Sequence, residues 1–202
     1  MNELSTRQRI VAAANRLFYS DGIGRVSVDA IAEAAGITKR SLYYHFKSKD
    51  DLVAAYLDHR HLPNIAAFQQ WYDAADGSVA DRIGAIFAEL ATIAARPNWK
   101  GCGFLRTAAE LVNLPGHPAI VIGAAHKQAV EAWFAARFAA DGIVDAEALA
   151  RQVRLLLDGA FAVAMLHRDP SYFEAAGAAT RTLVKAARRM PRPEPVEQGT
   201  VA

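Results

Sequence analysis

The 202-residue sequence contains one cysteine, Cys102, which excludes an intramolecular disulfide framework and any all-cysteine metal cage within one chain. No stretch approaches the roughly 18 uninterrupted apolar residues that suggest a membrane span, and the N-terminal MNELSTRQR lacks the apolar run of a signal peptide. A cytoplasmic chain with no membrane partner is therefore expected. Charge of one sign is also scarce: the formal net charge is +2, too small by itself to demand a nucleic-acid partner. Catalytic signatures are missing as well. There is no HExxH, no G-x-S-x-G elbow and no phosphate-binding glycine loop, and Gly101-Cys102-Gly103 follows no strand. His59, His61, His117 and His126 show no recognised zinc spacing. The expectation is that the chain is not an enzyme and has no catalytic residues, no cofactor and no metal.

What the sequence does have is apolar residues at helical spacing almost throughout, without alternating β-branched runs bounded by tight turns. With 52% hydrophobic and 22% charged residues it can bury a core. The pattern predicts an all-α protein of about nine helices: a three-helix head over residues 1–47 and a helical body over 48–190, of which 48–62 is a connecting helix. The tail PRPEPVEQGTVA, 191–202, is proline-rich and polar and reads as disordered. The small charge excess lies in the head. Residues 1–60 hold nine Lys/Arg against seven Asp/Glu, and residues 61–202 balance fourteen against fourteen.

Local signals mark the helices of the head. Ser5 and Gln8 have capping-box spacing ahead of Ile10, Ala14, Leu17 and Phe18, and Gly22 ends that helix. Ser27 can cap a short second helix that Gly36 closes, and Thr38 a third, KRSLYYHFK. In the third helix Leu42 and Phe46 share the inward face, while Lys39, Arg40, Ser41, Tyr43 and Tyr44 turn partly or wholly outward. Ser48 and Asp51 start the fourth helix, which Pro63 should bend or restart. In the body, helical pattern runs from about 79 to 95, 104 to 112, 118 to 140, 145 to 167 and 171 to 190, the last boxed by Ser171 and Glu174.

A basic, aromatic third helix after a sharp turn suits a DNA major groove, where Lys and Arg neutralise phosphates or read guanine and hydroxyls bond phosphate oxygens. Residues 5–52, above all SVDAIAEAAGI and TKRSLYYHFKSKDDL, resemble the DNA-binding head of the TetR/AcrR family of transcription regulators. The resemblance implies phosphate contacts from Ser27, Tyr43 and Lys49. It also implies base or phosphate contacts from Lys39, Arg40, Ser41 and Tyr44, with His45 able to make either and Thr38 at the start of the same helix. Arg40 departs from the glycine or small residue that the family often has there. The resemblance further implies a homodimer through the helices at 145–167 and 171–190, whose stripe of Leu149, Val153, Leu156, Leu157, Ala160 and Ala164 suits such packing. The function it implies is a repressor released from a near-palindromic operator in double-stranded DNA by a small apolar or aromatic effector.

For the effector, scattered aromatics offer a lining: Phe68, Trp71, Phe87, Trp99, Phe104, Trp133 and Phe134, with Cys102 beside them and Tyr72 and Phe138 as further candidates. Two alternatives stand. Cys102, flanked by glycines and near Lys100, suits a sensor of electrophiles or oxidants. A helical-bundle enzyme without a recognisable motif is the reading of another class, and it would have to bring Glu89 or Glu110 to a histidine.

Overall fold

A computed structural model describes residues 4–188, and among these the chain is entirely helical outside its connections. The helices are α1 (Thr6–Asp21), α2 (Val28–Ala34), α3 (Lys39–His45), α4 (Lys49–Ala74), α5 (Val79–Ala94), α6 (Gly103–Glu110), α7 (Pro118–Ala140), α8 (Ala146–His167) and α9 (Ser171–Arg188). The expected disordered tail and the last two residues of the expected final helix lie outside the described residues.

Caps set most boundaries, because the first backbone N–H groups of a helix have no partner inside it. Ser5 and Gln8 form the reciprocal box at α1, and Ser78 with Asp81 forms another at α5 that the pattern of the sequence did not suggest. At α9 the expected box is not the one found. Ser171 lies within the helix and donates its backbone N–H to the Asp169 carboxylate at 2.9 Å, so the acid two residues upstream takes the capping role.

Pro63 does not restart a helix: α4 runs through it as one element of 26 residues. Proline removes one intrahelical bond and crowds the preceding turn, but tertiary packing keeps both halves helical. Leu52, Val53, Tyr56 and Leu57 are buried in the core of the head, and Phe68 in the core of the body. The head core, built on Ile10, Phe18, Ile31, Leu42 and Phe46, thus extends into α4 and also takes in Phe104 of α6 and Ala119 of α7.

In the body, α5 packs closely on α9, and α8 on α7 and α9. This corrects the expected dimer stripe. Leu149, Val153, Leu157, Ala160 and Ala164 are buried within the protomer's own core, with Leu156 packed against it. The apolar residues of α8 that face outward are instead Leu155 and Leu166, 69% and 75% exposed. A helix packed on two neighbours of its own chain spends its most continuous stripe there, leaving a sparser face outside.

Candidate functional site

Ser27 Oγ accepts the Ala30 N–H at 3.1 Å, and Thr38 Oγ1 accepts the Ser41 N–H at 3.2 Å. Between α2 and α3 the chain reverses through Gly36 at φ +67°, a left-handed conformation that glycine takes without steric cost. The Ile37 N–H returns to the Ala32 carbonyl at 3.0 Å, which fixes the angle between the helices. Leu42 and Phe46 are buried and hold one face of α3 inward.

The other face carries Lys39, Arg40, Tyr43 and Tyr44 exposed, Tyr44 at 86%, with Ser41 and His45 half-buried. Lys39 pairs with Asp29 of α2 at 3.0 Å. Lys49 Nζ donates to the Ile23 carbonyl at 2.6 Å, which ties the start of α4 to the loop after α1 and leaves two ammonium protons for other acceptors. Of the nine residues picked from the sequence, Ser27 and Thr38 are caps, Lys39, Arg40, Ser41, Tyr43, Tyr44 and His45 belong to α3, and Lys49 opens α4.

A cavity of about 150 Å³ lies in the body between α4, α5, α7 and α8, bordered by the loop that precedes α6. Of the eight lining candidates, Phe68, Trp71, Trp99 and Cys102 line it. The other four do not. Phe87, Trp133 and Phe134 are buried in the body core, and Phe104 sits in the head core with its ring stacked 3.8 Å from His126. Tyr72 packs edge-on to Trp133, and Phe138 stacks on Phe134, so both also belong to packing. Composition gives ring number but not direction. On α7 it is His126, Lys127 and Val130 that turn toward the cavity, with Phe134 and Phe138 further along in the core.

The polar lining is what sequence reasoning missed. Tyr19, Arg60, His126, Lys127 and Arg154 all reach the cavity. Lys127 Nζ lies 2.6 Å from Asp158 Oδ1 and 3.6 Å from Cys102 Sγ, and Arg154 pairs with the same aspartate. Arg60 donates to Asn15 Oδ1 at 3.0 Å, its guanidinium 4.8 Å from the centre of the Tyr19 ring. His126 meets His61 Nδ1 to Nδ1 at 3.1 Å. Burial, and then the positive charges of Lys127 and its neighbours, push His126 down to about 3, so its imidazole is neutral at physiological pH. A charged residue interrupting an apolar stripe, as Arg154 does between Val153 and Leu157, was the available signal.

The cavity is bonded to the head. Tyr19 of α1 donates its hydroxyl to the Gly101 carbonyl at 3.3 Å and accepts the Lys100 N–H at 3.0 Å, while Arg106 of α6 donates to the Tyr19 carbonyl at 2.7 Å. Glu110, at the far end of α6, accepts the N–H groups of Ile23 and Gly24 at 3.2 and 2.9 Å. Neither acid considered for catalysis meets a histidine: Glu110 is occupied here, and Glu89 is exposed on α5. No group of three or more potential metal ligands occurs among the described residues.

The family model for bacterial regulatory proteins of the tetR family matches residues 10–56. A tetR-type transcriptional regulator from Streptomyces avermitilis, known as a crystal structure, is 35% identical with a TM-score of 0.80, over 91% of this chain and 98% of that one. The chain belongs to the TetR family. A TetR-family regulator from Streptomyces coelicolor, 30% identical with a TM-score of 0.75, matches 91% of this chain and 94% of its own. The curated HTH-type transcriptional regulator TtgR of Pseudomonas putida is 46% identical over 56 residues, and that match spans only 27% of its length. The curated match thus covers 28% of this chain, whereas the two Streptomyces structures share its fold over 91%. As a TetR-family member the protein is a DNA-binding transcriptional regulator and not an enzyme. No described helix is long and apolar enough to cross a membrane.

Proposed function

We propose that this regulator represses transcription as a cytoplasmic homodimer, binding a near-palindromic operator, and releases it when a small molecule with an aromatic or apolar body enters the cavity in the body. Ser27, Tyr43 and Lys49 bind backbone phosphates, and Lys39, Arg40, Ser41, Tyr44 and His45 face base edges or adjacent phosphates. The observation that carries the reading is the double hydrogen bond of Tyr19, in the head, to the loop at Lys100 and Gly101 that borders the cavity. A ligand that displaces this loop moves α1, and with it the spacing of two recognition helices that must enter successive major grooves roughly 34 to 36 Å apart. Differential affinity for the two spacings supplies the energy.

Fluorescence anisotropy on DNA from upstream of the protein's own gene tests both halves. Tyr43→Ala and Lys49→Ala should each weaken binding, with Lys49→Ala lowering the salt slope by about one phosphate contact. If Arg40 reads a guanine, Arg40→Ala relaxes preference at one operator position instead. Tyr19→Phe should keep operator binding and blunt release by ligand. Wild-type binding in the Tyr43 and Lys49 variants would overturn the DNA assignment.

A second reading is favoured by the place of Cys102 in the cavity lining, 3.6 Å from the Lys127 ammonium: an electrophile or oxidant that enters the cavity meets its sulfur directly. Cys102→Ser separates the two. It leaves release by a reversible ligand intact and abolishes release by an alkylating agent.

A further inference from the structure

We propose that the cavity takes a single-ring aromatic carboxylate, its carboxylate held by Arg154 and Arg60 beside the start of α6. This rests on the cavity being the effector site of the proposed repressor.

The charge balance of the lining is one-sided. Arg60, Lys127 and Arg154 line the cavity, and the one carboxylate that pairs with any of them among the described residues is Asp158, which Lys127 and Arg154 share. Arg60 has the neutral Asn15 amide as its hydrogen-bond partner and no carboxylate within ion-pair distance among the described residues. His126, held neutral, adds no charge of either sign. Arg154 is buried and Arg60 and Lys127 are half-buried, so the surplus positive charge is only partly solvated and favours an arriving counter-charge.

Two unmet donors point to where it arrives. The Arg154 side chain is only 9% exposed, and its Nε has no acceptor; the Arg60 Nε is buried and likewise unpartnered. A guanidinium edge with a free N–H suits a carboxylate oxygen in geometry and charge. The start of α6 adds to this. Cys102 gives that helix no side-chain cap, so its first amides remain free and the positive end of its dipole is open. Gly103, its first residue, leaves room for the arginine: a Cβ there would stand 3.3 Å from Arg60 Nε and 2.6 Å from the Tyr56 hydroxyl.

The rest of the lining selects the body of the molecule. Phe68, Trp71, Trp99 and Phe161 supply aromatic walls, and about 150 Å³ is the scale of an apolar cavity that accepts one benzene-sized ring. Asp158 stands against a second negative charge, which makes a monoanion the better fit, and the surplus of cations stands against an amine.

Calorimetric titration of the full chain tests this with benzoate and phenylacetate against their amides, benzamide and phenylacetamide, and against benzylamine. At least one acid should bind about ten- to a hundredfold tighter than its amide, the span of a charge-assisted hydrogen bond against a neutral one. Arg154→Gln and Arg60→Gln should each narrow that gap, with thermal melts of the same variants verifying the fold. If Arg154→Gln does not fold, Arg60→Gln and the wild-type comparison still decide. Amides binding as tightly as acids, benzylamine binding best, or neither acid binding would overturn the proposal. Operator anisotropy on the same samples separates it from the reading it rests on. Acids that bind without releasing operator support the pocket chemistry and defeat release. Release by an uncharged ligand while the acids stay unbound overturns the carboxylate and leaves release standing.

Discussion

His126 is buried, stacked on Phe104 and flanked by Lys127, His61, Arg154 and Arg60. Its environment makes a prediction about acid. In the unfolded chain the imidazole takes up a proton as pH falls through its ordinary value of 6.5, whereas the native protein resists until about 3. The depressed native value means that acidification favours unfolding. Stability is full above the unfolded value and falls through the window between the two, by about 2 kcal/mol near pH 5. Denaturant melts near pH 7 and pH 5 should therefore separate for the wild type and draw together for His126→Gln, which keeps an acceptor for His61. Equal separation in both would assign the acid sensitivity elsewhere. Arg154 presents the related problem of a cation almost out of solvent. Its tolerance rests on Asp158, so Asp158→Asn should destabilise far more than removal of an exposed ion pair.

The helices themselves show what a sequence can and cannot disclose. Caps are local, a hydroxyl reaching an N–H three residues on, and Ser5, Ser27, Thr38 and Ser48 are all legible from spacing alone. Inward faces are legible for the same reason, since 3.6 residues per turn sets them. Pro63 does not restart the helix because its cost is local while its compensation, burial on both sides along α4, is tertiary. The cavity is half-legible: rings can be counted, but which helix turns which ring inward depends on crossings that no local signal specifies. One such crossing gives a paired prediction. At the contact of α5 with α9, a Cβ added at Gly177 would lie 2.8 Å from Phe87 Cβ, rooted in the neighbouring helix. A Cβ at Gly84 would meet the Arg181 side chain, 2.6 Å from its Nη1. The first contact can be relieved only by parting the helices and the second by swinging a long side chain. Gly177→Ala should cost about 1 to 3 kcal/mol in spite of its better helix propensity, while Gly84→Ala stays within about 1 kcal/mol of wild type. Thermal or denaturant melts of the two variants make the comparison.

At the scale of the whole molecule, the proposed repressor needs two heads at a fixed separation, and the assembly that sets it must use a surface the protomer leaves open. On α8 that surface is not the stripe buried against α7 and α9. It is the outer face of Leu155, Gly159, Ala162 and Leu166, residues spaced four, three and four apart, with open space around Gly159. Large exposed leucines flanking small residues form a surface on which a second helix can lie close, and the exposed Ala175, Ala178 and Thr182 of the adjacent α9 extend it. In a single protomer Leu155 and Leu166 face solvent, so replacing them costs the fold little. The double variant Leu155→Arg, Leu166→Arg should thus retain its helical content while sedimenting as a monomer. Each half-site then binds independently, and operator affinity should fall by about a hundredfold or more, as expected when a second contact loses its tether. Two outcomes would reject this face: a variant that stays dimeric, or a monomer that binds operator as tightly as wild type, since the second would mean that one head suffices and that head separation is not what a ligand controls.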